Sequence, residues 1–193
     1  MGTNSLGGDL LFIFMTILVM IIIIFILYMI NTYNQFITLG ERVVNGKAQI
    51  AAQVESRWDA VTNLIQATKK YAAYEAETLD TIVHQRTQIS QTSSIDTIEQ
   101  DDANLNNVMG RLLAIAESYP ELKASSVYET TMKSINKYED NVRHARMIYN
   151  DVVTKFNRLV KMFPSNIIAS LFKFTEREYF EATETKHAMP EWE

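Results

Sequence analysis

A long run of apolar residues near the N-terminus constrains this chain more than any other feature. Every residue from Leu10 to Ile30 is apolar or aromatic except Thr16. At about 1.5 Å per residue, a helix of this length reaches roughly 30 Å, the thickness of a bilayer core. Buried helices of soluble proteins rarely contain so long an unbroken apolar run. The sequence therefore predicts a transmembrane helix at residues 10–30, preceded by a short segment at residues 1–9.

Flanking charges predict the orientation of this helix. No Lys or Arg precedes the apolar run, whereas Arg42 and Lys47 follow it. Because basic residues next to a span favour the cytoplasmic side, the N-terminus is expected outside and the rest of the chain in the cytoplasm. A cleaved signal peptide fits poorly, since the run is long and neither a basic segment before it nor a small-residue cleavage site after it is present.

Composition narrows the possible classes of protein. The 193 residues include six Gly, three Pro and no Cys, and the net charge is −5. Without Cys, the chain has no disulfides, thiolate metal sites or cysteine nucleophile. The mild acidity gives no basic footprint for nucleic acid, so no nucleic-acid partner is expected. Few Gly and Pro residues favour long helices over a loop-rich fold.

The helical period is clearest in the C-terminal half of the chain. Apolar residues recur there at alternating steps of three and four, which predicts one long helix that ends near Pro164. Two interpretations are open: the seam of a dimeric coiled coil, or the inner face of an antiparallel bundle. The second is favoured because other helical segments in the chain need partners. The seam comprises Tyr128, Thr131, Ile135, Tyr138, Val142, Ala145, Tyr149, Val152, Phe156, Leu159 and Phe163.

Three further helices are predicted upstream. The first continues from the membrane without a break, because no Pro occurs before Pro120. A shorter helix spans about residues 76–90, and the polar segment 91–94 separates it from a third helix that ends at the turn marked by Pro120. We therefore predict an all-α fold, with the transmembrane helix continuing into an antiparallel up-and-down four-helix bundle at residues 31–174.

Alternation of up and down helices places the end of the fourth helix near the bilayer. That end carries Lys155, Arg158 and Lys161, which form either an ordinary solvated face or a contact with anionic lipid headgroups. The apolar segment 163–174, with Ser165 as its predicted N-cap, either folds back to plug the bundle, which is favoured, or lies on the membrane. Residues 175–193 are predicted to form a loose acidic tail.

A set of polar residues lies on or beside the helical seams. Buried polar groups need partners, because an unpaired one costs about 1–3 kcal/mol. We expect either a hydrogen-bond network that sets the register of the helices or a docking surface for a partner, for which the pair Tyr149 and Asn150 is the first choice. The candidates are Asn34, Arg57, Arg146, Tyr149 and Asn150.

Catalytic and metal-binding patterns are weak. A di-metal site in a bundle needs two Glu-x-x-His motifs, and only Glu184 and His187 have that spacing, in the tail. Asp140 with His144, and Asp80 with His84, are spaced four apart and are more simply explained as helix-surface pairs. No phosphate-binding, dinucleotide-binding or nucleophile-elbow motif occurs. We expect no catalytic site, no cofactor and no metal.

Two blocks of residues resemble the LemA family of bacterial membrane proteins. Together they extend over about 150 residues after the apolar run. The chain departs from the family pattern at Thr62, where Pro is usual, and at Tyr74, where His is usual. The first block contains Tyr33, Asn34, Ala48, Ile50, Gln53, Arg57, Asn63, Leu64, Tyr71, Glu75 and Arg86, and the denser second block contains Leu112–Lys123, Glu139, Ala145, Arg146, Tyr149–Asp151, Phe163–Asn166, Phe174, Tyr179 and Phe180.

The resemblance implies an N-terminal transmembrane helix, a four-helix bundle and no enzymatic activity. One relative is associated with magnetosome membranes, and some relatives are lipoproteins whose bundle lies outside the cytoplasm, which leaves an extracytoplasmic domain as the alternative topology. We predict a single-pass cell-membrane protein that acts as a non-enzymatic scaffold or adaptor and forms homo-oligomers. The alternative is a regulator or accessory subunit of a membrane enzyme such as a protease or transporter. A metal-dependent enzyme is a third and weaker hypothesis.

Overall fold

The computed structural model describes residues 3–75, 77, 79, 81, 83, 86, 89, 90 and 92–180, with side chains from Asp9 onward. No strand occurs in this part of the chain, so the predicted all-α class is confirmed. The helices are α1 (Thr3–Lys69), α2 (Ile95–Ser118), α3 (Pro120–Lys123), α4 (Ser126–Lys161) and α5 (Ser165–Phe172), with a 3₁₀ turn at Ala73–Glu75.

Helix α1 joins the apolar run to the polar part of the chain without interruption. It continues through Gly40 and Gly46, as expected from the absence of Pro. The hydroxyl of Thr62 donates a hydrogen bond to the carbonyl oxygen of Trp58, and Thr62 stays within the helix. The side chains of the apolar run are exposed to the surroundings except those of Tyr28 and Met29, which are partly buried, and α1 is long and apolar enough to cross a membrane.

The predicted helix at 76–90 lies partly outside the described residues. Of those described, Glu77, Leu79, Thr81 and Val83 are helical, whereas Arg86, Ile89 and Ser90 are not. The helical conformation therefore ends before the predicted boundary. Leu79 is fully buried, so this segment contributes to the core as expected.

The described residues divide into two compact units. The larger unit comprises Arg42–Val153 with residues 178–180, and the smaller unit comprises the described residues up to Glu41 with Thr154–Arg177. In the larger unit, the apolar faces of α1, α2 and α4 share one core, so the α4 seam packs within the chain there. Its fully buried side chains include Val54, Trp58, Val61, Ile65, Ile98, Leu105, Val108, Ile135 and Val153.

The smaller unit has its own apolar cluster. Ile168 and Ala169 of α5 pack with Phe36 of α1 and Phe156 of α4, so this segment folds back onto the chain. That it plugs a four-helix bundle stays a prediction. The predicted seam does not extend to its last member, since Phe163 is exposed. The chain turns at Pro164 directly after α4 and carries Phe163 away from the buried face.

The prediction that Ser165 caps α5 is wrong. Pro164 holds the N-cap position and makes no side-chain cap. The Oγ atom of Ser165 lies 2.7 Å from the carbonyl oxygen of Leu159 and 2.8 Å from that of Met162. Its hydroxyl therefore donates to carbonyls at the end of α4, where a helix leaves its last acceptors without partners within the helix.

Gly46 allows a close approach between α1 and α4 in the larger unit. A Cβ atom at Gly46 would lie 3.3 Å from Cδ2 of Tyr149 and 3.7 Å from its Cα, whereas one at Gly110 would meet nothing within 4 Å. We expect Gly46→Leu to lower the free energy of unfolding by about 1–3 kcal/mol through overpacking, despite the better helix propensity of Leu. Gly110→Leu is the matched control and should cause no loss. Urea denaturation of the two variants measures the difference, and equal stability would contradict the close approach.

Candidate functional site

A cluster of charged side chains lies in the larger unit and joins three helices. This charged cluster consists of Arg57 on α1, Asn106 and Asp102 on α2, and Glu139 and Arg146 on α4. The guanidinium of Arg57 donates from Nη1 to Oδ1 of Asp102 at 3.1 Å, and from Nη2 to Asn106 at 2.9 Å and Glu139 at 3.2 Å. Arg146 donates from Nη2 to Oδ2 of Asp102 at 3.0 Å.

Asp102 is the centre of the charged cluster. Its two carboxylate oxygens each accept from a different guanidinium, so it links α1 and α4 through α2. The Arg57 and Asp102 side chains are only 4% and 6% exposed. Burying a charge is unfavourable unless it is paired and hydrogen-bonded, so these contacts offset the cost of burying the charges and link the three helices.

A second polar contact lies beside the cluster. Trp58 follows Arg57 on α1, Asp101 precedes Asp102 on α2, and the indole Nε1 of Trp58 donates to Oδ2 of Asp101 at 2.7 Å. Adjacent residues on α1 thus pair with adjacent residues on α2. Asp101 and Asp102 were not predicted as site residues from the sequence. They occupy buried positions of α2 between Ile98 and Leu105, where the helical period calls for an apolar residue.

The C-terminal residues of the larger unit are bound by α4. The hydroxyl of Tyr149 donates to the carbonyl oxygen of Glu178 at 3.0 Å. The side-chain amide of Asn150 accepts from the backbone N–H of Phe180 and donates to its carbonyl oxygen, both at 2.9 Å. Phe180 is buried against the Tyr149 ring, and the Arg146 guanidinium lies 5.5 Å from its ring centroid. We call these contacts the C-terminal clasp.

The smaller unit contains a similar pair of hydrogen bonds between an asparagine side chain and the backbone. Asn157 accepts from the backbone N–H of Arg177 at 2.7 Å and donates to its carbonyl oxygen at 2.8 Å. The guanidinium of Arg177 lies 5.4 Å from the Phe156 ring centroid. The predicted loose tail is therefore wrong for residues 175–180, because Asn157 and Asn150 bind the backbone of Arg177 and Phe180. Residues 181–193 lie outside the described part of the chain. Asn157 was not singled out from the sequence.

We expect Asn150→Ala to release the C-terminal clasp. The substitution removes two hydrogen bonds of about 1 kcal/mol each, so the Phe180 amide should exchange with solvent about 10- to 30-fold faster. Hydrogen exchange of the peptide containing residues 178–180 measures this. Asn141→Ala is the matched control, because Asn141 lies on the same helix and donates to the side chain of Gln53 instead. Unchanged exchange in Asn150→Ala would show that the clasp does not hold this segment.

The other predicted site residues lie in the smaller unit. Asn34 is exposed on α1 and is not part of the charged cluster. Lys155, Arg158 and Lys161 are all exposed on α4, and Nζ of Lys161 lies 2.7 Å from Oε2 of Glu176. These three basic residues are thus accessible to an outside partner, while Lys155 and Lys161 also interact within the chain.

The candidate metal ligands do not converge in the part of the chain that the structure describes. No group of three or more His, Cys, Asp or Glu side chains with metal-binding geometry occurs among those residues. Asp140 contacts Arg143 at 3.5 Å, and His144 is exposed. The pair Asp80 and His84, and the pair Glu184 and His187, lie outside the described residues.

Two side chains at the start of α4 have shifted pKa values. Burial and the neighbouring carboxylate of Glu117 raise the pKa of Tyr128. The hydrogen bond from Lys133 lowers the pKa of the exposed Glu129. These two residues lie one helical turn apart and form an ordinary ion pair on the helix surface. Neither group belongs to the charged cluster.

Comparison with known proteins identifies similar chains. A sequence model of the LemA family matches residues 46–193. Magnetosome protein MamQ 2 of Paramagnetospirillum magneticum is 24% identical, over 86% of this chain and 71% of its own length. Magnetosome protein MamQ of Magnetospirillum gryphiswaldense is 23% identical over the same shares. Protein LemA of Metamycoplasma hominis is 26% identical, over 90% of this chain and 80% of its own length. Together with the apolar helix, these relatives indicate a membrane protein.

Proposed function

The chain belongs to the LemA family, and on that premise we propose that it is a single-pass membrane protein whose helical domain is a non-enzymatic scaffold or adaptor. The observation that carries this proposal is the charged cluster. Its charged and polar side chains contact one another across three helices of the larger unit. A rigid helical domain attached to an apolar helix suits the positioning of other molecules at a membrane.

We propose that residues 10–30 of α1 cross the bilayer and that the larger unit lies in the cytoplasm. The support is the length of the apolar run, its exposed side chains and the Lys and Arg residues on its C-terminal side only. On this topology, Lys155, Arg158 and Lys161 contact anionic headgroups, since each is exposed and lies in the same compact unit as the apolar run.

The domain itself we propose to be an antiparallel up-and-down four-helix bundle. Three of its helices, α1, α2 and α4, contribute to one core. The fourth would be the segment around Leu79 and Val83, whose described residues are helical and pack against that core.

Partner binding is proposed for exposed apolar residues of the larger unit. Met147 and Ile148 are exposed neighbours on α4, beside Tyr149 and Asn150, which bind the chain's own C-terminal segment. A second copy of the chain is the favoured partner, because anchoring in a membrane concentrates copies in two dimensions. The names of three relatives place those proteins in magnetosomes, and for this chain we propose only a role at a membrane.

Photo-crosslinking of the full chain in native membranes tests the scaffold. A photoreactive amino acid replaces Met147 or Ile148, and Lys137, which is exposed on the same helix, is the matched control. We expect crosslinks to a second copy from the first two positions and none from the control. Crosslinks to a single heterologous membrane enzyme in a fixed ratio would favour the alternative, in which the chain regulates that enzyme. No product above the Lys137 control would contradict a docking role for this surface.

A further inference from the structure

Helix α5 has a second apolar face, which is exposed among the described residues of the smaller unit. One face buries Ile168 and Ala169 against Phe36 and Phe156. On the outside, Ile167 and Leu171 are one helical turn apart and both are largely exposed. Phe163, in the turn before α5, is 78% exposed. We call Phe163, Ile167 and Leu171 the outer face. Exposed apolar groups that cluster in this way mark interaction sites.

The position of α5 along α1 identifies what the outer face meets. Near the end of the apolar run, Tyr28 and Met29 already pack against the cluster that includes Ile168 and Ala169. The ring of Phe172, at the end of α5, lies 4.8 Å from that of Tyr33. Tyr33 is three residues beyond the apolar run, which is about 4.5 Å along a helix. With residues 10–30 across the bilayer, helix α5 would lie at the depth where hydrocarbon gives way to headgroups.

Charge in the smaller unit suits the same environment. After the apolar run, this unit contains five basic residues and two acidic ones, Glu41 and Glu176. Anionic headgroups attract such an excess of positive charge. Aromatic rings such as those of Tyr28 and Tyr33 are also typical of membrane–water interfaces. The basic residues are Lys155, Arg158, Lys161, Lys173 and Arg177.

We propose that α5 is an interfacial membrane helix. Its inner face closes the apolar cluster of the smaller unit, and its outer face inserts among the headgroups and upper acyl chains of the leaflet that α1 enters. A helix with apolar residues on one side and basic residues nearby binds this zone of a bilayer. This inference rests on the proposed crossing of the membrane by α1. The smaller unit then contacts lipid through two elements, and α5 restricts tilting of the span.

Site-directed spin labelling tests the proposal in the full chain, which has no Cys of its own. Ile167→Cys and Leu171→Cys are labelled after reconstitution into phosphatidylcholine–phosphatidylglycerol vesicles. Collisions with oxygen, which is enriched in lipid, are compared with collisions with a water-soluble nickel chelate. Ile22→Cys is the bilayer reference and Lys137→Cys is the water reference. Because all four side chains are exposed, labels at these positions leave the core unchanged.

We expect the oxygen-to-nickel ratio at residues 167 and 171 to exceed that at Lys137 several-fold and to approach the ratio at Ile22. A ratio equal to that at Lys137, with Ile22 in lipid, would overturn the interfacial helix and leave the membrane span intact. Shielding of residues 167 and 171 from both reagents would also overturn it, in favour of a covering protein. A water-like ratio at Ile22 would instead refute the span itself.

Discussion

The Asp102→Asn variant is expected to lose about 3–5 kcal/mol of the free energy of unfolding, the effect of removing one partner from a buried ion pair. Asn keeps the shape of the side chain and removes the charge that both Arg57 and Arg146 contact. The two guanidiniums would then remain close together without the carboxylate between them. Urea denaturation in mild detergent, followed by Trp58 fluorescence in a Trp192→Phe background, measures the loss.

Arg143→Gln provides the control for this variant. Arg143 contacts Glu139 at 3.4 Å and Asp140 at 3.5 Å, but its side chain is largely exposed. Exposed ion pairs contribute about 0–1 kcal/mol, so this variant should unfold close to the unmodified chain. Similar losses for Asp102→Asn and Arg143→Gln would mean that the charged cluster does not hold the helices together.

The Trp58→Ala variant is expected to lose a similar amount, about 3–5 kcal/mol, by a different mechanism. The Trp58 side chain is fully buried in the core of the larger unit, and its indole also binds Asp101. Truncation would leave a cavity and remove the hydrogen bond to a buried carboxylate. Loss of helical circular dichroism with urea measures the change.

Tyr74→Ala is the matched aromatic control for Trp58→Ala. Tyr74 lies in the 3₁₀ turn and is 98% exposed, so its truncation should change stability by less than about 0.5 kcal/mol. Trp58→Phe retains most of the apolar contact and separates the packing contribution from the hydrogen bond. A loss below 1 kcal/mol for Trp58→Ala would contradict the placement of this residue in the core.

Periodic features of the sequence predicted the all-α class and the two longest described helices. The apolar run and the absence of Pro gave the continuous helix α1, and the steps of three and four gave the inner face of α4. These features are local, because each residue contributes to a pattern that its neighbours repeat. The position of Pro120 at the start of α3 followed from the same kind of local rule.

Contacts between residues that are far apart in the sequence leave no local pattern of this kind. Asp101 and Asp102 are acids at positions that suit a core, and only their partners on α1 and α4 make those positions favourable. Backbone binding by Asn150 and Asn157 depends on where the C-terminal segment returns in three dimensions, which composition does not reveal. The acidic character of that segment therefore suggested a looser tail than its first residues form.

Paired cysteine labelling tests the proposed topology of the chain in the membrane. Lys137→Cys places a thiol on exposed α4, and Ser5→Cys places one before the apolar run. Spheroplasts are treated with a membrane-impermeant maleimide before or after lysis. We predict that the Ser5→Cys thiol reacts in intact spheroplasts and the Lys137→Cys thiol only after lysis. Reaction of both thiols in intact spheroplasts, or of the Lys137→Cys thiol alone, would contradict a membrane-spanning helix with a cytoplasmic domain.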